Sequence, residues 1–277
     1  MFLCVSFSAY AQMEKPRFIS SIEDSQWQLT SDSPILCRLE HVIPRFGKAV
    51  FTQAAGRKLA LELVSTRRFA SGLPVDLVSE PAGWQSLQPS QLMASLKTRA
   101  GDPVVKVPAA ATQLAYADLR SGRQPGFSFS GDDAMLVSLS TVRFQTAEES
   151  FSACRARLHP LNFDDIRVSH IHFDANQEFP RLAEEKSAFN RMFAYLKIDD
   201  SISEILVTGH SDVMGEACVN ERLSEGRAWY VYDLLVARGI DASMLRVDFA
   251  GESRPLSKGL KKESLAANRR VSVELRR

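Results

Sequence analysis

The chain has 277 residues, of which 45% are hydrophobic and 24% are charged, and its formal net charge is +1. This composition is that of a globular protein with one large domain or two ordinary ones. The near balance of charge excludes a general attraction to nucleic acid or anionic lipid. No apolar run reaches the roughly 20 residues of a membrane-spanning helix.

The N-terminal stretch MFLCVSFSAYAQ predicts a secretory signal peptide over residues 1–11. It is apolar and places small residues at Ala9 and Ala11, the pattern expected just before a cleavage site. The basic residues that usually open such a peptide are missing, so we expect a truncated start. The alternative is a buried N-terminal strand.

Short apolar runs separated by Gly and Pro clusters predict a β-rich domain over residues 12–160. KLALELVS (Lys58–Ser65) alternates apolar and polar residues, as a half-buried strand does, and PVDLVSE, TQLAYADL and AMLVSLSTVRF show similar patterns. Only SQLMASLK is expected to form a short helix. Strands separated by such turns favour an antiparallel sandwich or a barrel-like domain.

Residues 161–277 are predicted to form a second domain, which makes the fold class α+β. IRVSHIHF, EILVTGH, MLRVDFAGE and NRRVSVELRR are the predicted strands. Two segments have the apolar spacing of helices, Arg181–Lys197, preceded by Pro180, and Leu223–Arg238, ended by Gly239. The resulting order, β-α-β-α-β-β, places helices on one face of a mixed sheet.

Arg227 lies in the middle of the apolar face of the second predicted helix, which is an unusual position for a cation. Asp212 follows the preceding strand, at the edge where ligands collect in α/β units. Asn220 is placed either to cap the helix or to offer its amide to the same pocket. We also expect Gly209 and Gly215 to let the backbone turn tightly and approach a ligand.

An acid, a base and an amide at one edge are complementary to a ligand that carries both an ammonium and a carboxylate. Asp212 would bind the ammonium, and Arg227 would bind the carboxylate through two parallel hydrogen bonds. The alternative is an ion pair between Asp212 and Arg227 with no ligand, because half-buried ion pairs are common in proteins.

Four spaced motifs resemble the OmpA-like peptidoglycan-binding domain. In chain order they are GHSD, NERLSEGRA, FAGESRP and NRRVSVEL. The resemblance implies that Asp212 and Arg227 hold the diaminopimelate residue of the peptide stem, with Asn220, Asn268 and Arg269 as further contacts. Diaminopimelate carries an ammonium and a carboxylate on its side-chain end, which is the ligand chemistry inferred from the residues.

The chain departs from this family pattern at several positions. Val219 stands where an aromatic residue usually precedes the Asn, and Ser211 replaces the common Thr. His172 replaces an Asn, and Phe249-Ala250 replaces the first glycine region of the third motif. We expect these departures to weaken or retune binding, although both charged ligand contacts remain.

Three cysteines remain once the predicted signal peptide is set aside, which allows one pair and one unpaired thiol, or no pair. We expect a disulfide between Cys37 and Cys154, with Cys218 unpaired in the motif loop. A bridge across the first half of the chain stabilises the fold by about 4–5 kcal/mol in the chain-entropy model.

The first domain resembles the N-terminal domain of the MotY family, periplasmic components of sodium-driven flagellar motors. Trp27 and CRLEHVIPRFGKAVF (Cys37–Phe51) carry this resemblance, and length, domain order, export signal and cysteine placement agree with it. It implies a ring around the flagellar basal body, built with the partner protein MotX, that places the stator units. The C-terminal domain would fasten this ring to the wall. The alternative is a generic peptidoglycan-anchoring envelope protein without a motor role.

No catalytic residue, metal site, cofactor or nucleic-acid partner is predicted. His210 and Asp212 form a His-x-Asp pattern, which is weak support for a hydrolase, and Ser211 lacks the surrounding G-x-S-x-G turn. His170 and His172 alternate on one face of a strand, but no Cys or carboxylate cluster completes a metal site at useful spacing. We therefore expect structural histidines and no enzymatic activity.

Overall fold

The computed structural model describes residues 15–69, 72–81, 89–131, 134–180 and 182–277, with the backbone alone for residues 182–188. The predicted signal peptide, residues 1–11, lies outside these ranges. The chain divides into two compact units, of which the first ends at Leu158 and the second is His159–Arg277. Within the described ranges, no helix combines the length and apolar character needed to cross a bilayer.

Two five-stranded sheets form the framework of the first unit. The first sheet has the order β1 (Arg17–Phe18), β10 (Met135–Ser138), β9 (Gln124–Phe129), β6 (Pro74–Glu80) and β7 (Gln91–Lys97). The second sheet has the order β2 (Trp27–Asp32), β3 (Leu36–Ile43), β4 (Gly47–Ala54), β5 (Ala60–Ser65) and β8 (Val104–Val107). Neighbouring strands are antiparallel except β1 and β10, which are parallel.

One hydrophobic core joins both sheets to the helices α1 (Ala109–Ser121) and α2 (Phe144–Ala156). Aromatic side chains dominate this core, and Tyr116 of α1 makes edge-on contacts with Phe51 of β4 and Phe144 of α2. The β-rich, sandwich-like architecture predicted for this part of the chain is confirmed. Two helices inside it were not predicted.

The structure contains the predicted disulfide, which joins Cys37 of β3 to Cys154 of α2 with a Cα–Cα distance of 6.0 Å. Both cysteines are completely buried, whereas Cys218 is free and exposed. The bridge therefore fixes helix α2 to the second sheet across 117 positions of sequence.

Two predictions of local structure in the first unit are wrong. TQLAYADL lies within helix α1, because its buried residues recur at helical rather than alternate positions; they are Ala111, Thr112, Ala115, Tyr116 and Leu119. SQLMASLK forms the edge strand β7 rather than a helix, because it pairs with β6 along its length. Pairing with a neighbouring strand outweighs the helical preference of its Leu, Met and Ala residues.

The second unit contains a four-stranded sheet with the order β11 (Val168–His172), β14 (Arg270–Arg276), β12 (Glu204–Gly209) and β13 (Leu245–Phe249). Strands β12 and β13 are parallel, and β14 is antiparallel to both of its neighbours. Its helices are α3 (Phe163–Ile166), α4 (Leu182–Leu196), α5 (Ala217–Ala237) and α6 (Lys262–Asn268). This confirms the predicted α+β class and the β-α-β-α-β-β order, with α3 and α6 as additions.

Helix α5 packs against β12, β13 and β14, while α4 packs against β11. Alternation along β14 directs Val271, Val273 and Leu275 to the fully buried face of the sheet. Helix α5 begins at Ala217 rather than at the predicted Leu223. This earlier start places Asn220 inside the first turn, so the predicted capping role for its side chain is wrong.

Candidate functional site

The end of strand β12 lies very close to helix α5 at Gly209. A Cβ atom at this position would lie 1.9 Å from the Ser224 carbonyl oxygen and 3.1 Å from the Ala228 Cβ. Gly209 is therefore needed for the packing of the strand against the helix. This differs from the predicted role, in which Gly209 lets the backbone approach a ligand. Gly215 has a φ of +99° and supplies the left-handed turn that leads into α5.

The segment after Gly209 is fixed by main-chain hydrogen bonds to two other parts of the unit. The amide of His210 donates to the Arg270 carbonyl at 2.9 Å, and the amide of Ser211 donates to the Gly251 carbonyl at 2.8 Å. The Gly251 amide in turn donates to the Ser224 hydroxyl of α5 at 3.0 Å. These bonds set the position of Asp212, the next residue along the chain.

Asp212 is almost buried and both of its carboxylate oxygens accept hydrogen bonds. Oδ1 accepts from the amide of Met214 at 3.1 Å, which closes a local turn. Oδ2 accepts from Nη1 of Arg269 at 2.8 Å, and this contact is also an ion pair. Arg269 donates through Nε to the Phe173 carbonyl at 3.2 Å, so Asp212 is linked to the end of β11.

Arg227 is 1% exposed, and main-chain carbonyls surround its guanidinium. Nε donates to Gln177 at 2.8 Å, Nη1 to His210 at 2.9 Å, and Nη2 to Asp174 at 3.2 Å. The guanidinium also lies over the ring of Phe173, 5.2 Å from its centroid. Arg227 thus connects α5 to the end of β12 and to the loop that follows β11.

The structure answers the question of whether Asp212 and Arg227 form a pair with each other. The ion-pair partner of Asp212 is Arg269, and Arg227 instead uses carbonyl groups. Burial lowers the pKa of Arg227 to about 10, and the nearby negative charge of Asp212 opposes this change. At neutral pH the guanidinium therefore keeps its positive charge inside the unit.

A cavity of about 210 Å³ opens between these groups. Asp212, Asn220, Arg227 and Arg269 all line it, so four of the five residues predicted to bind peptidoglycan lie around one space. Three charged groups and an amide in a partly enclosed site are suited to a small zwitterionic group, because enclosure strengthens charged hydrogen bonds.

Asn268, the fifth predicted contact, has a different position. Its Oδ1 accepts from the amides of Leu256 and Ser257 at 2.8 and 3.0 Å, and its Nδ2 donates to the Ser257 carbonyl at 2.8 Å. This buried amide supports the loop before α6, so its geometry favours a structural role. Asn220 remains beside the cavity, where its Nδ2 donates to Glu252 at 2.6 Å.

The loop after β11 contributes to the site and was not predicted to do so. Ala175 and Asn176 line the cavity, and Asn176 has a positive φ of 56°. Arg227 binds the carbonyls of Asp174 and Gln177, the residues on either side of this pair. No sequence pattern near this loop indicated its role, because its partner lies 50 or more positions along the chain.

The histidines do not gather into a metal site in the part of the chain that the structure describes. No group of three or more His, Cys, Asp or Glu side chains lies close enough there to hold a metal ion. Ser272 lies between His170 and His210, at 3.2 and 3.4 Å from their ring nitrogens. Burial lowers the pKa of His210 to about 4, and the positive charge of Arg270 acts in the same direction.

Comparison with known proteins gives a consistent result for the two units. The MotY N-terminal domain family matches residues 18–160, and the OmpA family matches residues 176–269. Outer membrane protein A of Serratia odorifera is 33% identical over 104 residues, which cover 34% of this chain and 43% of that protein. The C-terminal domain of Helicobacter pylori MotB covers 39% of this chain and 84% of that chain, with 17% identity and a TM-score of 0.36.

A longer match extends over both units. The sodium-type flagellar protein MotY of Vibrio parahaemolyticus is 30% identical over 284 residues, which cover 100% of this chain and 96% of that protein. Because the alignment includes the β-rich unit as well as the OmpA-like unit, the two units occur in the same order in both proteins. The chain therefore belongs to the MotY family.

Proposed function

We propose that this protein is a non-enzymatic, periplasmic component of the flagellar motor that binds peptidoglycan through its second unit. The cavity between Asp212, Arg227 and Arg269 is the observation that supports wall binding. One carboxylate and two guanidinium groups give this cavity a local excess of positive charge. A ligand with an ammonium and a carboxylate fits it better than a simple cation does.

The diaminopimelate end of a peptide stem has this chemistry. A guanidinium has five N–H groups, and the described contacts of Arg227 use three, which leaves two for a ligand carboxylate. A carboxylate has about four lone-pair positions, and the described contacts of Asp212 use two, which leaves room for an ammonium. Arg269 holds Asp212 in place and adds a second cation beside the carboxylate.

Membership of the MotY family supports the motor role. In this proposal the first unit joins a ring around the basal body together with MotX, and the ring helps to place and hold the stator. The second unit fastens the ring to the wall. The alternative is a generic wall-anchoring envelope protein, since this chain is also similar to proteins that are named outer membrane protein A.

Wall binding is tested by pull-down of the purified full-length chain with peptidoglycan sacculi. We expect Asp212→Asn to weaken binding by about 30-fold or more, because loss of one partner of a buried charged contact costs about 2 kcal/mol or more. The fold should remain, because the single side-chain oxygen of Asn can still accept from one of the two donors, the Arg269 guanidinium or the Met214 amide. Unchanged binding would place the wall site elsewhere.

Glu204→Gln is the matched control for this experiment. Glu204 also pairs with arginine, Arg276, at 3.0 Å, but it begins β12, whereas Asp212 follows its other end. We expect its sacculus binding to equal that of the wild type. Release of soluble muropeptides during the incubation would contradict the non-enzymatic assignment.

The motor role is tested separately by deletion of the gene. Loss of swimming with an intact envelope is expected for a motor component. Leaky or blebbing envelopes with normal swimming would support the generic wall anchor instead. Expression of the Asp212→Asn protein in the deletion strain then shows whether wall binding is needed for swimming.

A further inference from the structure

Another cavity, of about 600 Å³, lies in the first unit, and none of its lining residues belongs to the proposed wall site. Its lining includes the aromatic side chains of Phe18, Phe46 and Phe69. Phe18 contacts Phe46 with a centroid distance of 5.9 Å, and Phe69 stacks on Phe129 at 5.7 Å. Packed rings give this cavity a rigid apolar floor.

Three exposed arginines, Arg45, Arg67 and Arg68, line the same cavity. None of them forms an ion pair with a carboxylate of the described residues, whereas nearby Arg17 pairs with Glu80 at 3.0 Å. Among the described residues, the cavity therefore combines an apolar floor with three rim arginines that have no carboxylate partner. We call it the arginine-rimmed cavity.

Arg45 occupies a strained backbone position in this rim. The turn between β3 and β4 is closed by the Phe46 amide, which donates to the Ile43 carbonyl at 3.1 Å, with Pro44 as its second residue. Arg45, the third residue, has a φ of +66°, a conformation that favours glycine or asparagine. Such strain is typically retained where the side chain serves a function.

We propose that the arginine-rimmed cavity binds an acidic segment of a partner protein that inserts an aromatic or large aliphatic side chain. All three rim cations are arginines, which bind carboxylates through two parallel hydrogen bonds and are enriched in protein interfaces, where lysine is depleted. Phenylalanine is also enriched in protein interfaces, and arginine is among the residues that contribute most to their binding energy. The charge of the rim is complementary to an acidic segment.

This inference does not rest on wall binding, and its test has a separate readout. The probe is a fluorescein-labelled octapeptide in which Asp and Glu alternate with Phe, titrated with the full-length chain by fluorescence anisotropy. We expect saturable binding of this peptide. An acidic peptide with Ser in place of Phe, and a peptide with Lys in place of the acids, should both bind at least about tenfold more weakly.

Arg45→Gly combined with Arg67→Gln is the informative variant. Glycine accepts the positive φ of position 45, so we expect an equal or higher Tm together with a Kd for the acidic-aromatic peptide raised about tenfold or more. A purely structural role for Arg45 would not weaken peptide binding while the fold is maintained. Sacculus binding by the second unit should not change.

Arg120→Gln is the matched control, because Arg120 is an exposed arginine of helix α1 that does not line the cavity. Its peptide affinity should equal that of the wild type. Equal affinity of the Arg45→Gly/Arg67→Gln variant would overturn the proposal. A second outcome would also overturn the proposal. If the wild type binds vesicles that contain phosphatidylglycerol but not the peptide, and the Arg45→Gly/Arg67→Gln variant loses vesicle binding, the cavity binds anionic lipid.

Discussion

The two units of this protein differ in what they bury. In the first unit the buried polar side chains of the described residues are Ser, Thr and His, and its core is apolar and aromatic. In the second unit the buried side chains include the charged groups of Asp199, Asp212, Arg227 and Arg270. Since burial of charge is costly, the second unit gives up stability that a fully apolar core would provide.

The same contrast holds for the cations beside the two cavities. Arg227 is enclosed and bound by three carbonyl groups, whereas Arg45 and Arg67 are exposed on a rim. An enclosed cation is held in one geometry and suits a small ligand of fixed shape. Exposed arginines above an apolar floor suit a larger partner that covers them when it binds. The first unit is therefore expected to depend on apolar packing and a disulfide for stability, and the second on its polar network.

The largest expected effect is loss of the disulfide. Replacement of both Cys37 and Cys154 by Ala should destabilise the first unit by about 4–5 kcal/mol, because the bridge closes a loop of more than 100 residues. Calorimetry measures the loss of stability, and hydrogen exchange, followed separately for peptides from each unit, shows which unit is affected. Protection in the second unit should not change, and an equal loss in both units would contradict the comparison.

A somewhat smaller effect is expected for Arg227→Met. The variant leaves the carbonyls of Asp174, Gln177 and His210 without their donor, which should destabilise the second unit by about 3 kcal/mol or more. Urea unfolding of the full-length chain, followed by a probe in the second unit, measures the change. Asp212→Asn serves as the contrast, with a stability loss of about 1 kcal/mol. An Arg227→Met protein of unchanged stability would mean that Arg227 serves the ligand alone.

The smallest expected effect is a dependence on pH. The pKa of His210 falls from 6.5 to about 4 on folding, because the ring is buried, Arg270, Arg254 and His170 add positive charge, and Asp248 only partly opposes them. The folded unit binds fewer protons than the unfolded chain between these values. Its stability is therefore complete above pH 6.5 and falls as the pH drops toward 4, by on the order of 3 kcal/mol.

His210→Gln tests this dependence, because glutamine is polar and does not titrate. The unfolding free energy of the second unit, measured by urea between pH 7.5 and 4.5, should vary less steeply in this variant than in the wild type. Burial also lowers the pKa of His41 in the first unit, so that unit should keep its own slope in the variant. An unchanged slope in the second unit would mean that other groups carry its pH dependence.

Much of the second unit was predictable, because its signals are local and periodic. Alternation along β14 and the strand–loop–helix segment around Asp212 are properties of neighbouring residues, and the structure contains both. Predictions in the first unit were less accurate. TQLAYADL and SQLMASLK each allow two interpretations over eight residues, and contacts with distant strands determine which one forms.

The site itself shows the same limit. The sequence alone predicts that Arg227 lies on an apolar helix face near Asp212, and the two residue types suggest a zwitterionic ligand. The groups that Asp212 and Arg227 contact in the folded protein could not be predicted. Asp212 pairs with Arg269, 57 positions away, and Arg227 binds carbonyls of a loop 50 and 53 positions away. Main-chain carbonyls have no side-chain identity, so no residue pattern indicates which of them will meet a guanidinium.

The sequence by itself determined the order of elements in the second unit and the residue types of the proposed wall site, and the Cys37–Cys154 pair that it predicted is present in the structure. The tertiary structure alone decided that Gly209 serves packing, that Asn268 supports a loop, and that three arginines surround an aromatic cavity. The physical reason is that periodicity and residue chemistry act within a few positions of the chain. Partners of buried charges and the walls of cavities come from segments that meet only when the chain is folded.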